Sequence, residues 1–460
     1  MNHKTAGVLA GDAGLAGIQW LLQGDEPLAA LRGSLSTLLP DPELLQGCRL
    51  HRAKYKPRRH LTAYYEATVR DPATGAEQIR HVEAAWLPPG SAGPRGAPAD
   101  QEIMQEELRR RGLCAPFLGL AAEDAAWGLW LRVSPLDAEY PQIARLSDPA
   151  YISEPLARAT GRPLLAGGYT VSIVRYRPGQ RHVLRYDPAS AGGQAGEGTL
   201  FAKSYNSDKG ERIFSVVSGI EAWLAAQGAG LRTVRPAAYM AAEQTVLYPW
   251  VTGTPLTSLL QSGPTADELL VRAGSALRVL HSVPLDLVEL KPHSLAKEIK
   301  SIASATEHIH TLLPETGAQI DAILKRAEAL HDRMPHELPG FAYGDYKCDH
   351  LWVTPAGLTL IDFDTCYFFD PAIDLGKFLA DLRWWYDQFG LAGVERAQAH
   401  FLDGYTVPPQ RLARARLYEV LVLVKTTARR VKLFDGAWAE RTGRLIAAAG
   451  RLLDDLAAAV

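Results

Sequence analysis

Two short stretches hold most of the residues able to do chemistry. FAYGDYKCDHLWV (341–353) carries Asp345, Asp349 and His350, and LIDFDTCYFFDPAIDLGKFLADL (360–382) carries Asp362, Asp364, Asp370 and Asp374. Both set acids against apolar runs that read as short buried strands. A buried carboxylate is costly unless a donor or a cation meets it. LTLID ends in Asp362, and the turn TPAG joins it to LWV, so a hairpin of these strands would bring Asp345, His350 and Asp362 to one end. Acids placed so can hold a divalent cation and orient a hydroxyl. Magnesium, carried in by a nucleotide, is the cation expected.

Phosphate handling is expected upstream. In LFAKSY, Lys203 lies inside an otherwise apolar strand, a placement that an anion would offset. Eighteen residues on, Glu221 falls on a helix and could steady that lysine. The chain thus orders a strand lysine, a helix glutamate, a linker strand, Gly-Asp with a polar residue five positions later, and an Asp after a strand. Kinase-type phosphoryl transfer uses parts in this order.

The elements that must position these residues fall into three regions, and 460 residues suffice for two or three domains. Residues 1–150 begin with a helix-like segment. KYKPRRHLTAYYEATV and QIRHVEAAWLP follow as strands, PPGSAGPRGAPAD (88–100) as a loop, QEIMQEELRRRG as a helix and WGLWLRVSPLD as a strand end. Residues 151–251 read as a hairpin around Pro178-Gly179, a loop at 189–198, the strand GTLFAKSY, the helix KGERIFSVVSGIEAWLAAQG and the strand QTVLYPWVTGTPL. Residues 252–460 read as mostly helical, with Thr265 or Asp267 as an N-cap and two amphipathic helices in the tail.

A faint repeat links the first two regions. YKPRRHLTAYYE (55–66) lies on YRPGQRHVLRYD (176–187) without a gap, so that Tyr55 meets Tyr176, Pro57 meets Pro178 and Tyr65 meets Tyr186. The first copy reads VEAAWL near the place of Lys203 and has no lysine there. A decayed copy of the middle region and two unrelated hairpins both account for this.

Composition excludes some partners. With 49 basic and 51 acidic residues the net charge is −2, which gives no electrostatic case for nucleic acid or an anionic membrane. The basic run RLHRAKYKPRRH (49–60) reads as a solvated hairpin edge. Four cysteines stand far apart without a CxxC pair, so neither zinc nor a disulfide framework is expected, and a reducing, cytoplasmic setting is. The N-terminal stretch reads as neither a signal peptide nor a membrane span.

FAYGDYKCDHLWV and LIDFDTCYFFDPAIDLGKFLADL, supported by ALRVLHSVPL and by LFAKSY with EAWL, resemble the aminoglycoside phosphotransferase/choline kinase-like family of small-molecule kinases, over roughly 165–440. The resemblance implies an α+β, bilobal protein-kinase-like fold: a β-rich N-lobe (151–251) and a helical C-lobe (252–460). An α+β N-terminal domain (1–150) would precede it, placed like the cap of maltokinase-like members. It implies Asp345 as the catalytic aspartate, Asp362 as the principal Mg2+ ligand and His350 at a second metal position. Lys203 would contact the ATP α- and β-phosphates with Glu221 as its partner. LYPWVTG (247–253), with Tyr248 and Trp250, would grip adenine through its backbone, and Asp374 would brace the catalytic loop. ATP and Mg2+ are the cofactors implied, and a hydroxyl of a sugar, amino sugar, aminoglycoside or amino alcohol is the acceptor. ATP against GTP and the oligomeric state stay open.

The chain departs from the family pattern in three places. Tyr343 stands where His commonly precedes Gly-Asp. His350 stands where Asn is usual, and neutral imidazole prefers softer ions than magnesium. RPGQRH has one glycine, so Arg177, Arg181 or His182 would help the phosphates by charge. These departures support a second reading, a nucleotide-binding pseudokinase or sensor, which the retention of Lys203, Asp345 and Asp362 together opposes. Only seven residues separate Asp362 from DPAIDL, too few for a protein kinase's activation segment. Asp364 reads as a local hydrogen-bond partner, Asp370 and Asp374 as caps, and His281 as packing against the catalytic loop. RWWYDQF (383–389) either lines an acceptor pocket or packs in the core.

Overall fold

The computed structural model describes residues 1–88, 91, 98–192, 195–228 and 230–459. Most of the loop expected at 88–100, and residues 193–194 of the one at 189–198, lie outside them. Internal contacts divide the chain into two units. The first holds 1–211, 237–250 and 432–436; the second holds 212–236, 251–431 and 437–460.

The first unit opens with α1 (His3–Ala10), α2 (Gly14–Gln23) and α3 (Asp25–Ser36), then β1 (Leu45–Lys56), β2 (His60–Arg70) and β3 (Glu77–Trp86). After α4 (Pro98–Arg110) come β4 (Ala121–Asp124) and β5 (Leu129–Val133), then α5 (Gln142–Leu146) and α6 (Pro149–Thr160). The expected 150/151 boundary falls inside α6, and both sheets lie in this one unit. β6 (Tyr169–Arg177), β7 (Arg181–Pro188) and β8 (Leu200–Ser204) lead to α7 (Lys209–Gln227) and β9 (Leu231–Thr233), after which β10 (Ala238–Met240) and β11 (Thr245–Pro249) return to the first unit.

The two sheets of this unit repeat one topology. Their orders are β1-β2-β3-β5-β4 and, read from its outer edge, β6-β7-β8-β11-β10. Each is antiparallel, with a helix after its third strand. The repeated tyrosines do the same work in both copies. Tyr55 donates to Val8 O and Tyr176 to Leu136 O; Tyr65 donates to Leu22 O and Tyr186 to Leu146 O. In each case the hydroxyl satisfies a carbonyl of the segment ahead of its own sheet. Shared order, shared helix position and shared tyrosine contacts favour duplication over chance. The register also names the lost lysine. Thr62 pairs with Ala85 as Val183 pairs with Lys203, so Ala85 holds the place of Lys203 in the first copy.

The second unit is mainly helical. It adds β12 (Thr254–Pro255), α8 (Leu256–Leu259), α9 (Pro264–Leu280), β13 (Lys291–Pro292), α10 (Leu295–Leu312) and α11 (Pro314–His331). Then come β14 (Gly340–Ala342), β15 (Leu351–Thr354), β16 (Gly357–Leu360), β17 (Tyr367–Phe369), α12 (Ala372–Phe389), α13 (Val394–Tyr405), α14 (Pro409–Arg430) and α15 (Trp438–Ala459). Gly376 lets α12 press onto α14, since a Cβ there would stand 2.7 Å from Ala415 O. The expected N-cap at Thr265 or Asp267 is not used. α9 starts at Pro264 behind Gly263, because proline at the first position needs no capped N–H and its φ is already helical. Asp267 instead accepts from Arg396 at 2.9 Å. RWWYDQF lies on α12 and serves packing: Trp384 and Tyr386 are buried, Arg441 covers the Trp384 ring at 4.4 Å, and Trp385 stacks on Phe389. No helix among the described residues is long and apolar enough to cross a membrane, and all four cysteines are free thiols.

Candidate active site

β15 and β16 pair antiparallel from Leu351↔Leu360 to Thr354↔Gly357. The Ile361 N–H extends the ladder to His350 O at 3.0 Å. This closes the open end of the hairpin on His350, one residue ahead of β15, and Asp362, two residues past β16. Asp345 enters from the loop after β14. His350 Nε2 lies 3.8 Å from Asp345 Oδ2 and 3.8 Å from Asp362 Oδ2, so the three residues expected together do converge.

The loop around them is fixed from below. Asp374, fully buried at the start of α12, accepts the Tyr343 N–H at 2.7 Å and the Gly344 N–H at 2.6 Å. His281 Nε2 stands 3.1 Å from the same carboxylate and its Nδ1 is 2.8 Å from the Tyr405 hydroxyl, a packed bracing role. Gly344 has φ +79, and a Cβ there would sit 2.8 Å from Thr365 O and 2.6 Å from the Tyr367 ring. Only glycine fits ahead of Asp345. Asp362 itself has φ +68, a left-handed conformation that Asp tolerates better than most residues, at a cost of about 1 kcal/mol or more.

Charge decides the state of Asp345. Lys347 Nζ is 2.7 Å from Oδ2 and Lys377 Nζ is 3.1 Å from Oδ1. Burial would raise this carboxyl's pKa, but the Lys377 and Lys347 ammonium groups outweigh it and hold Asp345 well below the usual carboxylate range. It is therefore an ionised acceptor for a hydroxyl and a weak proton base. Neither lysine was among the sequence candidates. Lys347 stands two residues past Asp345. Lys377 lies one helical turn past Asp374, on the face that Asp374 turns to the loop.

Tyr343 explains the state of His350. Its hydroxyl is directed at Ile361 O and, at 2.8 Å, Asp362 O, and it lies 3.1 Å from His350 Nδ1. One proton serves two carbonyls there, so Nδ1–H of His350 donates to the tyrosine oxygen. Burial first, then Lys347, push the His350 pKa down to about 4, which leaves the ring neutral. Its Nε2 lone pair then points between two carboxylates, an arrangement that a cation completes.

Among the described residues no three His, Cys, Asp or Glu side chains group to hold a metal alone. A magnesium ion carried on phosphates needs only one or two carboxylates from the protein. Asp362, with His350 Nε2 beside it, meets that requirement. Three further acids are engaged in local hydrogen bonds. Asp349 accepts from Thr257 at 2.7 Å, Asp370 caps Ala372 N and accepts from Arg414, and Asp381 accepts the Cys348 N–H.

The remaining candidates lie on other elements. Lys203 is buried in β8, paired with Val183 and Val246 on either side. Alternation puts Phe201, Lys203, Val246 and Tyr248 on one face of that sheet. Trp250 stacks on Phe201 with centroids 5.9 Å apart, and its backbone N–H donates to Thr199 O. Glu221 is half-buried on α7. The hairpin turn 178–180 is tied down within the first unit: Asp137 Oδ2 accepts the Gly179 N–H at 2.8 Å and stands 2.7 Å from His182 Nε2. His182 is fully buried, so the help with phosphates expected of it is withdrawn.

An ionised aspartate fixed between two ammonium groups, with a second carboxylate across a neutral imidazole, can hold a hydroxyl and a cation-borne phosphate side by side. Kinase-like phosphotransferases need that pairing. Residues 199–418, a little under half of the chain, match the sequence model of the phosphotransferase enzyme family, APH. No curated protein matches the chain. Among solved structures, a choline/ethanolamine kinase family protein from Mesorhizobium loti is similar at 18% identity and TM-score 0.42, over 66% of this chain and 98% of that one. Choline kinase from Cryptosporidium parvum Iowa II is similar at 12% identity and TM-score 0.43, over 63% and 90%. Amicoumacin kinase hAmiN, solved with AMP-PNP, Ca2+ and Ami, is similar at 14% identity and TM-score 0.43, over 62% and 88%.

Proposed function

We propose that this protein transfers the γ-phosphoryl group of ATP to a hydroxyl of a small metabolite. The carrying observation is the ionised Asp345, held by Lys347 and Lys377 with Asp362 across His350. Asp345 would accept the hydrogen bond of the acceptor hydroxyl and align it; its low basicity suits a loose transition state in which positioning matters more than early deprotonation. Lys347 or Lys377 would stabilise charge on the transferring group. Asp362 would be the principal ligand of Mg2+, with His350 Nε2 as a second donor, and the ion would neutralise phosphate charge when bound. Lys203 would contact the α- and β-phosphates with Glu221 as partner, and the Tyr248–Trp250 segment would take the adenine.

ADP release from magnesium-ATP, measured against amino sugars, sugars, aminoglycosides and amino alcohols, tests this. One acceptor should raise turnover well above the Asp345→Asn blank. The pseudokinase reading expects instead that magnesium-ATP stabilises the protein while every acceptor stays at the blank. Neither stabilisation nor turnover would reject both.

A further inference from the structure

The first unit contains two adjoining cavities between β1–β3 and β6, of about 640 Å3 and about 190 Å3. They share Glu66, His81 and Val174. Their charges are unequal. Arg52, Arg175 and Arg177 line the smaller one together with His51 and Tyr64. Its one carboxylate, Glu66, is held by Arg49.

The larger cavity also has arginines, but their donors are engaged. Arg80 donates to the carbonyls of Leu113, Ala115 and Ser134, and Arg185 Nε to Asp187 at 2.7 Å. His81 Nε2 lies 2.8 Å from Ile173 O and ties β3 to β6. Its remaining walls include Ile79, Val171 and Ile173. Arg177 is different. It is half-buried and lines the smaller cavity beside Arg52 and Arg175. Burial, then Arg52 and Arg175, push its pKa down to about 10. Arg52 and Arg175 repel the Arg177 guanidinium, and an anion held between the three would be attracted by all of them.

We propose that this cleft is a binding site for a small phosphate monoester, with the phosphoryl group on Arg52, Arg175 and Arg177 and the uncharged body against Ile79 and Ile173. Three guanidinium groups around a recess of this size suit a dianion, and their planar forks match phosphate oxygens. The site is separate from the nucleotide assignment made above, which uses Lys203 and Asp362.

Calorimetric titration of the full chain with inorganic phosphate and with phenyl phosphate tests this, with phenol as the body-only control. Phenyl phosphate should bind more tightly than inorganic phosphate, and phenol should not bind measurably. Arg177→Gln should weaken phenyl phosphate by about tenfold or more, Arg177→Lys by less, and Asp345→Asn and Asp362→Asn not at all. Thermal melts would show that the arginine variants are folded. Equal affinity for phosphate and phenyl phosphate would overturn the assignment of the larger cavity. Binding that Arg177→Gln and Arg177→Lys leave unchanged, that ATP competes away, or that cannot be detected would overturn the site.

Discussion

The hydroxyl of Tyr343 lies 3.1 Å from Nδ1 of His350. These are two of the positions at which the chain departs from the pattern it resembles, and they touch each other. Tyr343, fully buried, also satisfies the backbone of Ile361 and Asp362. The tyrosine thus holds the metal-side strand end and orients the imidazole in one step, and the two exchanges form a matched pair.

A double-mutant cycle follows from that contact. Tyr343→His and His350→Asn should each lower kcat, and the double variant should recover part of the loss. The coupling expected between touching residues is about 1–3 kcal/mol. Strictly additive losses in kcat would mean that the contact has no functional weight.

Metal preference should follow His350. An imidazole lone pair favours Mn2+ over Mg2+ relative to an amide oxygen. The ratio of Mn2+ to Mg2+ affinity, measured with ATP present, should fall in His350→Asn. Asp362→Asn should remove the extra thermal stabilisation that Mg2+ adds to ATP. A ratio indifferent to His350 would take it out of the metal's reach.

Gly344→Ala should be among the most damaging single changes. The added methyl meets a carbonyl oxygen and an aromatic ring at a backbone angle that alanine avoids. A loss of about 2 kcal/mol or more is expected, together with displacement of Asp345. Urea unfolding and kcat measure the two effects; wild-type values for both would show that the loop relaxes freely.

Acid sensitivity should trace in part to Glu298. This buried carboxylate on α10 has Lys425 Nζ at 2.8 Å and His293 Nε2 at 3.4 Å. Burial raises its pKa, but the His293 hydrogen bond and the Lys425 ammonium outweigh that and bring it to about 2. Lys425 is itself lowered, since burial costs it more than the carboxylate returns. Two donors hold the one carboxylate of Glu298, which keeps it ionised. A depressed carboxylate pKa stabilises the fold above its unfolded value of 4.5 and loses that contribution as pH falls toward 2. The full effect is about 3 kcal/mol before the cost at Lys425 is subtracted. Glu298→Gln should be less stable than wild type at neutral pH, and the two should converge in acid. A constant difference at every pH would exclude the titration.

Much of the site was legible in the chain. Acids at the ends of two apolar runs joined by TPAG point to a hairpin that brings those ends together, so the convergence of Asp345, His350 and Asp362 is readable in the sequence. The repeat was legible too, because Tyr55, Pro57 and Tyr65 recur with unchanged spacing. The helix start at Pro264 was misplaced because proline and glycine did the work assigned to a capping side chain. The sequence does not decide the part that RWWYDQF plays, since aromatic side chains suit a pocket and a core equally until their neighbours are known.

Spacing along the chain determined which chemistry-bearing residues could meet, because hairpin pairing and helical periodicity are local rules. Tertiary structure alone decided their chemical states. Lys377 reaches Asp345 only because α12 packs beneath the loop, and Tyr343 selects the tautomer of His350 only because both are buried against the end of β16. The arginines of β1 and β6 share a cleft only because the repeated sheet units pack together within one unit of the fold. Charge and proton location depend on distance and burial in space, and these are not properties of sequence separation.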